Sequence, residues 1–334
     1  MGVYVLRRIL WMLLVLFFVS ILTFTLMHAV PGGPFDREKK LSPTILANIN
    51  AKYHLDDPLP VQYVAYMSNI IVPRISSGDV AASQQSDYIV SIPIGDKTFQ
   101  WINFGPSFTS TSRSVNDIFR DNLPVSAQLG ILSILVALAI GLPMGILAAL
   151  NHNKAMDYVA TTVAVTGVSF PAIALGPILI TVFALSLNWL PVSGWDSPAT
   201  YILPALTLGF GSSAIIARLT RASLLEVLTE DYVRTAHAKG LSSTTVIVIH
   251  AMKNAMIPVL TILGPLFAAL VTGTFVVETI FAIPGMGSYF VTSITNRDYP
   301  VIMGTALLYA GMLVLANLAV DLSYGWLDPR IRYN

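Results

Sequence analysis

Apolar residues run in long blocks along this chain, and polar residues gather between them. Six blocks stand out, at 9–30, 123–150, 156–187, 201–217, 255–283 and 299–322. A helix needs about 20 apolar residues, each rising about 1.5 Å, to cross a bilayer. All but the fourth block reach that length. The fourth continues into "RLTRASLLEVL", which keeps helical periodicity, so it predicts a helix that leaves the membrane and carries on into water. The pattern predicts an all-α polytopic membrane protein with six transmembrane helices. Prolines 124, 143, 171, 177, 204, 258 and 265 interrupt the blocks. Membrane helices tolerate them where neighbours satisfy the freed carbonyls.

The chain divides by the same pattern. Residues 1–30 read as an N-terminal transmembrane helix, 31–122 as a long outer loop region, and 123–334 as a five-helix core with a loop at 218–254. The start, "MGVYVLRRILWMLLVLFFVS", has the basic head and apolar centre of a secretory signal. Its apolar run is longer than a signal's and no A-x-A site follows, so an uncleaved first span is expected. Arg7, Arg8, Lys154, Arg218, Arg221, Arg234, Lys239, Lys253, Arg330 and Arg332 flank one side of the predicted spans. The short opposite flanks hold only Arg297. Basic residues mark cytoplasmic flanks, so both termini and 218–254 are expected in the cytoplasm and 31–122 outside. Within 31–122, "SPTILANINAKYHL" predicts a short helix capped by Ser42, and "DDPLPVQYVAYMSNIIV" a second entered through Pro58 and Pro60. "YIVSIPIGDKTFQWI" predicts a hairpin turning at Gly95–Asp96, with Pro93 confining the first strand to an edge.

Composition agrees with a membrane. Charged residues are 11% of the 334, against about 25% in soluble domains. Net charge is +1 and there are no cysteines. A nucleic-acid partner, disulfides, thiol catalysis and cysteine-ligated metal are therefore not expected. No H-E-x-x-H and no G-x-x-x-x-G-K-[ST] occurs, so a metal site and ATP hydrolysis by this chain are not expected either.

One charged stretch sits amid the apolar blocks: "DYVRTAHAKGL", 231–241. Thr229 can cap a helix, Glu230 and Asp231 suit its positive end, and Lys239 with Gly240 suit its close. A short helix over 230–239 is expected, with Ser242 capping the next segment. Two readings stand: a solvated connector, since charge runs are usually solvated faces, or a docking element for another protein. For docking, small residues allow close approach, Arg234 and Lys239 offer directed charge, and Tyr232 is an amphipathic anchor.

"DYVRTAHAKGL…HAMKNAMIPVLTILG" resembles the cytoplasmic loop of ABC-transporter import permeases, in their dipeptide/oligopeptide branch. The general pattern there is Glu-Ala-Ala, three residues, then Gly. Arg234, Thr235 and Ala236 stand in its first three places before Gly240, the form of the peptide branch. "LTFTLMHAVPGGP", "YHLDDPLPVQY", "RLTRASLLEVL", "ETIFAIPGMG", "RDYPVIMG" and "VDLSYGWLDPRIR" are similar to the same branch, in the same order. Residues 76–103 look like an insertion in the outer loop. The resemblance implies a type I importer fold and a role as first membrane subunit of a peptide-class importer in a prokaryotic inner membrane. It implies a second homologous permease, two ATPase subunits that carry ATP and magnesium, and an extracytoplasmic substrate-binding protein. This chain itself is expected to bind no cofactor. It further implies a coupling helix docking the ATPase, formed by Asp231, Tyr232, Arg234, Thr235, Ala236, Ala238, Lys239, Gly240 and Leu241. The residues of the substrate path are not legible.

Two intramembrane acids are candidates for structural or functional roles. Glu278 lies near the end of the fifth block and reads as the cap of the 283–287 turn or the partner of a neighbouring helix. Asp321 lies near the end of the sixth and reads as paired with Arg330 or a neighbouring helix. The alternative of a secondary transporter or channel calls for internal repeats and mid-span ionisable groups, and neither stands out. An intramembrane hydrolase calls for a nucleophile beside a base, and no such pair does.

Overall fold

A computed structural model describes residues 2–35, 42–77, 87–110 and 112–327. Its elements in order are α1 (Gly2–Ala29), α2 (Pro43–Tyr53), α3 (Leu59–Ile71), β1 (Arg74–Ser77), β2 (Val90–Ile94) and β3 (Lys97–Trp101). Next come α4 (Val115–Leu150), α5 (Ala155–Ser169), α6 (Ala172–Ser186), α7 (Pro198–Leu228) and α8 (Asp231–Ala238). The chain then runs through α9 (Ser243–Ala255), α10 (Ile257–Val271), α11 (Phe275–Ile280), α12 (Gly287–Asn296) and α13 (Tyr299–Leu327).

The expectation of six spans is corrected. Among the described residues, four helices are long and apolar enough to cross a membrane: Leu6–Ala29, Val115–Leu150, Pro198–Leu228 and Tyr299–Tyr324. A fifth is counted only if α9 and α10, bent by 49°, are taken as one span. The block at 156–187 fails because Pro171 cuts it. The residue before a proline is pushed out of the α region, and Phe170 sits at ψ 110°. α5 therefore stops at Ser169 and α6 starts afresh, its last seven residues, Ile180–Ser186, wound as a π-helix. The block at 255–283 is also interrupted. α10 ends at Val271, and Gly273 at φ +104° turns the chain before α11. The block at 201–217 does run on through "RLTRASLLEVL" as one helix of 31 residues.

The chain folds as two compact units. One comprises Met1–Met12, Val125–Gly285 and Gly311–Asn334. In it α4 and α7 meet backbone to backbone. A Cβ at Gly141 or Gly145 would lie 2.6 Å from the carbonyl oxygen of Ser213 or Ala217, and one at Gly209 would lie 2.7 Å from that of Ser133. Small residues at such spacing let membrane helices approach closely. Ala164 of α5 packs on Ala214 and Ala217 of α7 in the same manner. Leu129, Ala184, Leu203, Val277, Phe281 and Ile283 form the largest buried cluster of this unit, drawing on α4, α6, α7 and α11.

The other unit comprises Leu13–Pro124 and Met286–Ala310. Its core holds Phe104, Val115, Ile118, Phe119, Met286 and Val301. Ser42 caps α2 as its position predicts, its Oγ accepting from the Ile45 N–H. The predicted hairpin is β2 and β3, and β1 joins it in the antiparallel order β1–β3–β2. Pro93 is on an edge strand, where its missing N–H breaks no ladder bond. The sheet is inside out. Polar Thr98 and Gln100 are buried, with Ser76 Oγ donating to Gln100 Oε1 at 2.7 Å, while Ile75, Ile92, Ile94 and Trp101 are exposed. The predicted insertion at 76–103 includes 78–86, which lie outside the described residues. Asp298, buried, organises a loop of this unit: its carboxylate accepts from the backbone N–H groups of Phe108 and Thr109, each at 3.1 Å, and from Ser107 Oγ.

Candidate functional site

The stretch 231–241 is a helix set between two longer ones, as its capping residues predict. α8 runs Asp231–Ala238. Its N-cap is Glu230 and not Thr229, whose hydroxyl instead donates back to the Glu226 carbonyl at 2.7 Å. The C-terminus closes as a Schellman motif. The Leu241 N–H donates to the Ala236 carbonyl and the Gly240 N–H to that of His237, with Gly240 at φ +80°. That conformation suits glycine, which pays no Cβ penalty there. Ser242 then caps α9, its Oγ accepting from the Thr245 N–H.

Two residues a turn apart fix α8 to its own unit. Val233 and Ala236 are buried against Val246 of α9. Ala236 is thus an inward packing residue and does not stand on the free face. Asp231, Tyr232, Arg234, Thr235, Ala238, Lys239, Gly240 and Leu241 are all exposed. Arg234 and Asp231 pair at 3.4 Å with side chains 72% and 96% exposed, so the pair costs little to open. One bond ties the free face to α9: Asn254 Nδ2 donates to the Tyr232 hydroxyl at 2.8 Å. The arrangement is a short rigid helix, held by an apolar seam, that presents a hydroxyl, both signs of charge and an open glycine to its surroundings.

Ahead of it in the chain is an ion pair that sequence reasoning missed. Asp157 at the start of α5 accepts from Arg221 Nε at 2.6 Å and from Arg221 NH2 at 2.8 Å. The Asn153 N–H donates to the same carboxylate at 3.0 Å, and His152 Nδ1 lies 3.5 Å away. The pair clamps α5 to α7 ahead of α8 in the chain. Its signal was present: an acid two residues inside an apolar stretch, and an arginine on the predicted helix that leaves the membrane.

The two candidate acids are both engaged. Glu278 is buried on α11, where Oε1 accepts from Ser126 Oγ at 2.7 Å and from the Thr274 N–H at 3.3 Å. Its backbone carbonyl accepts the Ile283 N–H at 2.8 Å in the turn after α11. A Cβ on Gly285 would fall 2.4 Å from the Glu278 carboxyl carbon. Asp321 pairs with Arg8 of α1 at 2.6 Å, a neighbouring helix. Arg330, the other partner expected for it, lies outside the described residues. No group of three or more His, Cys, Asp or Glu capable of holding a metal occurs among the described residues.

Comparison with known proteins decides the family. The family model described as the binding-protein-dependent transport system inner membrane component matches residues 141–333, and its N-terminal companion matches 1–130. The chain belongs to this family. It is 45% identical over 332 residues to the dipeptide transport system permease protein DppB of Bacillus subtilis, covering 99% of this chain and 98% of that one. It is 40% identical to the oligopeptide transport system permease protein OppB of Salmonella typhimurium, covering 99% of each chain. The glutathione transport system permease protein GsiC of Escherichia coli is also 40% identical, again over 99% of each chain. In fold, the chain resembles the inward-facing MetNI methionine ABC transporter, with a TM-score of 0.51 at 19% identity over 63% of this chain and 96% of that one. This permease is therefore a membrane subunit of an ABC-type importer, a transport component and not an enzyme.

Proposed function

We propose that this permease forms, with a second homologous permease, the passage for peptides or similar small solutes, and that α8 is where an ABC ATPase docks. The observation that carries the docking role is the free face of α8. Eight of the nine residues named for it are exposed, five on the helix and three at its close, and the helix's only buried residues, Val233 and Ala236, seat it on its own chain. A helix seated on α9 and on the end of α7, which Arg221 and Asp157 clamp to α5, can pass a push into the bundle as a rigid body. The ATPases, carrying ATP and magnesium, close on nucleotide and move α8, and the bundle changes its access from outside to inside. Both termini and 218–254 lie in the cytoplasm of a prokaryotic cell. Peptide-like cargo is supported by the relatives named for dipeptide, oligopeptide and glutathione transport. An extracytoplasmic substrate-binding protein delivers that cargo. The outward apolar face of the β1–β3–β2 sheet, in the inserted 76–103 region, supports a contact with it.

The test is co-purification from the native membrane in mild detergent, with wild type beside Gly240→Trp. A Cβ at Gly240 meets nothing within 4 Å in this chain, but φ +80° strains any side chain there, so Gly240→Ala runs beside Gly240→Trp as the control that shares the strain without the bulk and should keep both partners. Wild type should bring two P-loop ATPases and a second permease. Gly240→Trp should keep the permease and lose the ATPases. ATPases retained in full by the variant would refute docking at α8.

A further inference from the structure

Helix α3 presents a face that its own unit leaves open. Its thirteen residues carry no charged side chain. Tyr66 and Ile70 pack inward on the core around Phe104 and Ile118. Val61, Val64 and Ile71, and Val72 just past the end, are exposed at 51–63%. At about 3.6 residues per turn these four share one side of the helix. Asp57 precedes α3 and Arg74 follows it, so charge brackets an apolar stripe without entering it.

The depth of α3 can be read from what it touches. The Tyr63 hydroxyl bonds Ser20 Oγ at 2.7 Å, and its ring stands edge-on to Phe24 at 5.3 Å. Ser20 is fully buried, and α1 continues from it to Ala29 within the span Leu6–Ala29. That remaining stretch is roughly 14 Å long at about 1.5 Å per residue, close to the roughly 15 Å half-thickness of a hydrocarbon core. Tyr66 makes the second contact. Its hydroxyl donates to the Pro300 carbonyl at 3.4 Å and its ring packs on the cluster of Met27, Tyr299 and Met303, at the first turn of the span Tyr299–Tyr324. α3 thus lies against the second half of the α1 span and reaches the first turn of α13. A mostly apolar groove of about 440 Å³, lined by Ile21, Phe24, Leu59 and Tyr63 with Thr25 and His28, joins the exposed apolar surface of α1 to α3.

We propose that α3 is embedded in the membrane leaflet at the Ala29 end of α1, with its Val61–Val64–Ile71 face against lipid tails. That leaflet is the outer one in the orientation proposed above; the insertion itself does not rest on that orientation. A helix is suited to this place because its backbone groups bond within the segment. With no basic side chain on it, the driving force is burial of the apolar stripe and not attraction to headgroups.

The absence of cysteine makes the test direct. Single cysteines replace Val61, Val64 and Ile71 in the full chain, each carries a nitroxide, and the protein is placed in nanodiscs of phosphatidylethanolamine and phosphatidylglycerol. Collision with oxygen and with a water-soluble nickel chelate is measured by power saturation. Leu22 on α1, 60% exposed, is the lipid reference, and Asp231, with its side chain 96% exposed, is the water reference. The oxygen-to-nickel ratio at all three positions should match that at Leu22 and exceed that at Asp231 several-fold. A ratio equal to that at Asp231 would overturn the proposal by placing α3 in water. Low collision with both reagents would overturn it too, by placing a protein partner on the stripe. If Leu22 itself read as water, the span assignment of α1 would fall with it, an outcome distinct from the other two.

Discussion

Gly285 and Glu278 show how tightly single residues are set in this permease. Glu278 is an acid in an apolar neighbourhood, held by Ser126 and by the Thr274 N–H. Burying such a group is costly unless its oxygens are bonded, and Gly285 has no side chain to crowd it. A methyl at Gly285 would fall 2.4 Å from the Glu278 carboxyl carbon and 2.5 Å from Ser126 Oγ. Gly285→Ala should therefore destabilise the fold by about 1–3 kcal/mol, the usual cost of overpacking. Gly311→Ala is the control, since a Cβ there meets nothing within 4 Å. Thermal unfolding in detergent should show a lowered midpoint for the first and none for the second. Equal midpoints for both would mean that the Glu278 carboxylate can move aside, and that its bonds to Ser126 and Thr274 do not fix it against Gly285. Glu278 and Asp321 were legible as single residues, because an acid in an apolar block asks for a partner. Their partners were not: Ser126 lies 152 positions away and Arg8 belongs to the opposite end of the chain.

At the scale of elements, periodicity and capping read well, and span counting did not. Ser42, Ser242 and Gly240 each stand where local chemistry puts a cap, and the Gly95–Asp96 hairpin forms where turn residues interrupt β-formers. These features are decided within a few residues. The six-span expectation failed where a sum over 156–187 ignored that Pro171 forbids the helix at Phe170. The clamp between α5 and α7 was invisible for a related reason. Asp157 and Arg221 come together only once both helices are packed, 64 positions apart in sequence. That clamp carries its own prediction. Asp157→Ala and Arg221→Ala should each lower the unfolding midpoint, and the double variant should lose less than the sum of the two, because the partners share one interaction. Strict additivity in this cycle would show the pair to be energetically silent. The same variants should keep α8 intact, since Val233 and Ala236 pack on Val246 and not on the pair.

At the scale of the whole molecule, the surface that most needs a partner is the sheet. A half-buried antiparallel sheet ordinarily turns its apolar face inward. Here Thr98 and Gln100 face in and are buried, Gln100 bonded to Ser76, and Ile75, Ile92, Ile94 and Trp101 face out. Exposed apolar patches of this kind mark interaction sites, and in the proposed orientation this one lies on the side from which cargo arrives. A protein that delivers solute must release it against the permease, so an apolar seat displayed on a rigid three-stranded sheet suits transient docking. Ile92→Lys with Ile94→Lys places two charges on that face. Both positions are on the β2 edge, exposed at 51% and 63%, so the strand pairing has no reason to fail. The double variant should co-purify with the ATPases proposed above as fully as wild type should, yet bind the proposed substrate-binding protein at least about tenfold more weakly, a difference of about 1.4 kcal/mol. Uptake should fall at low concentrations of the binding protein and recover as it is raised, because docking and not passage has been weakened. Binding unchanged beside wild type would remove the sheet from the docking surface. Loss of the ATPases as well would point to a fold defect, which the unfolding midpoint of the same preparation would reveal.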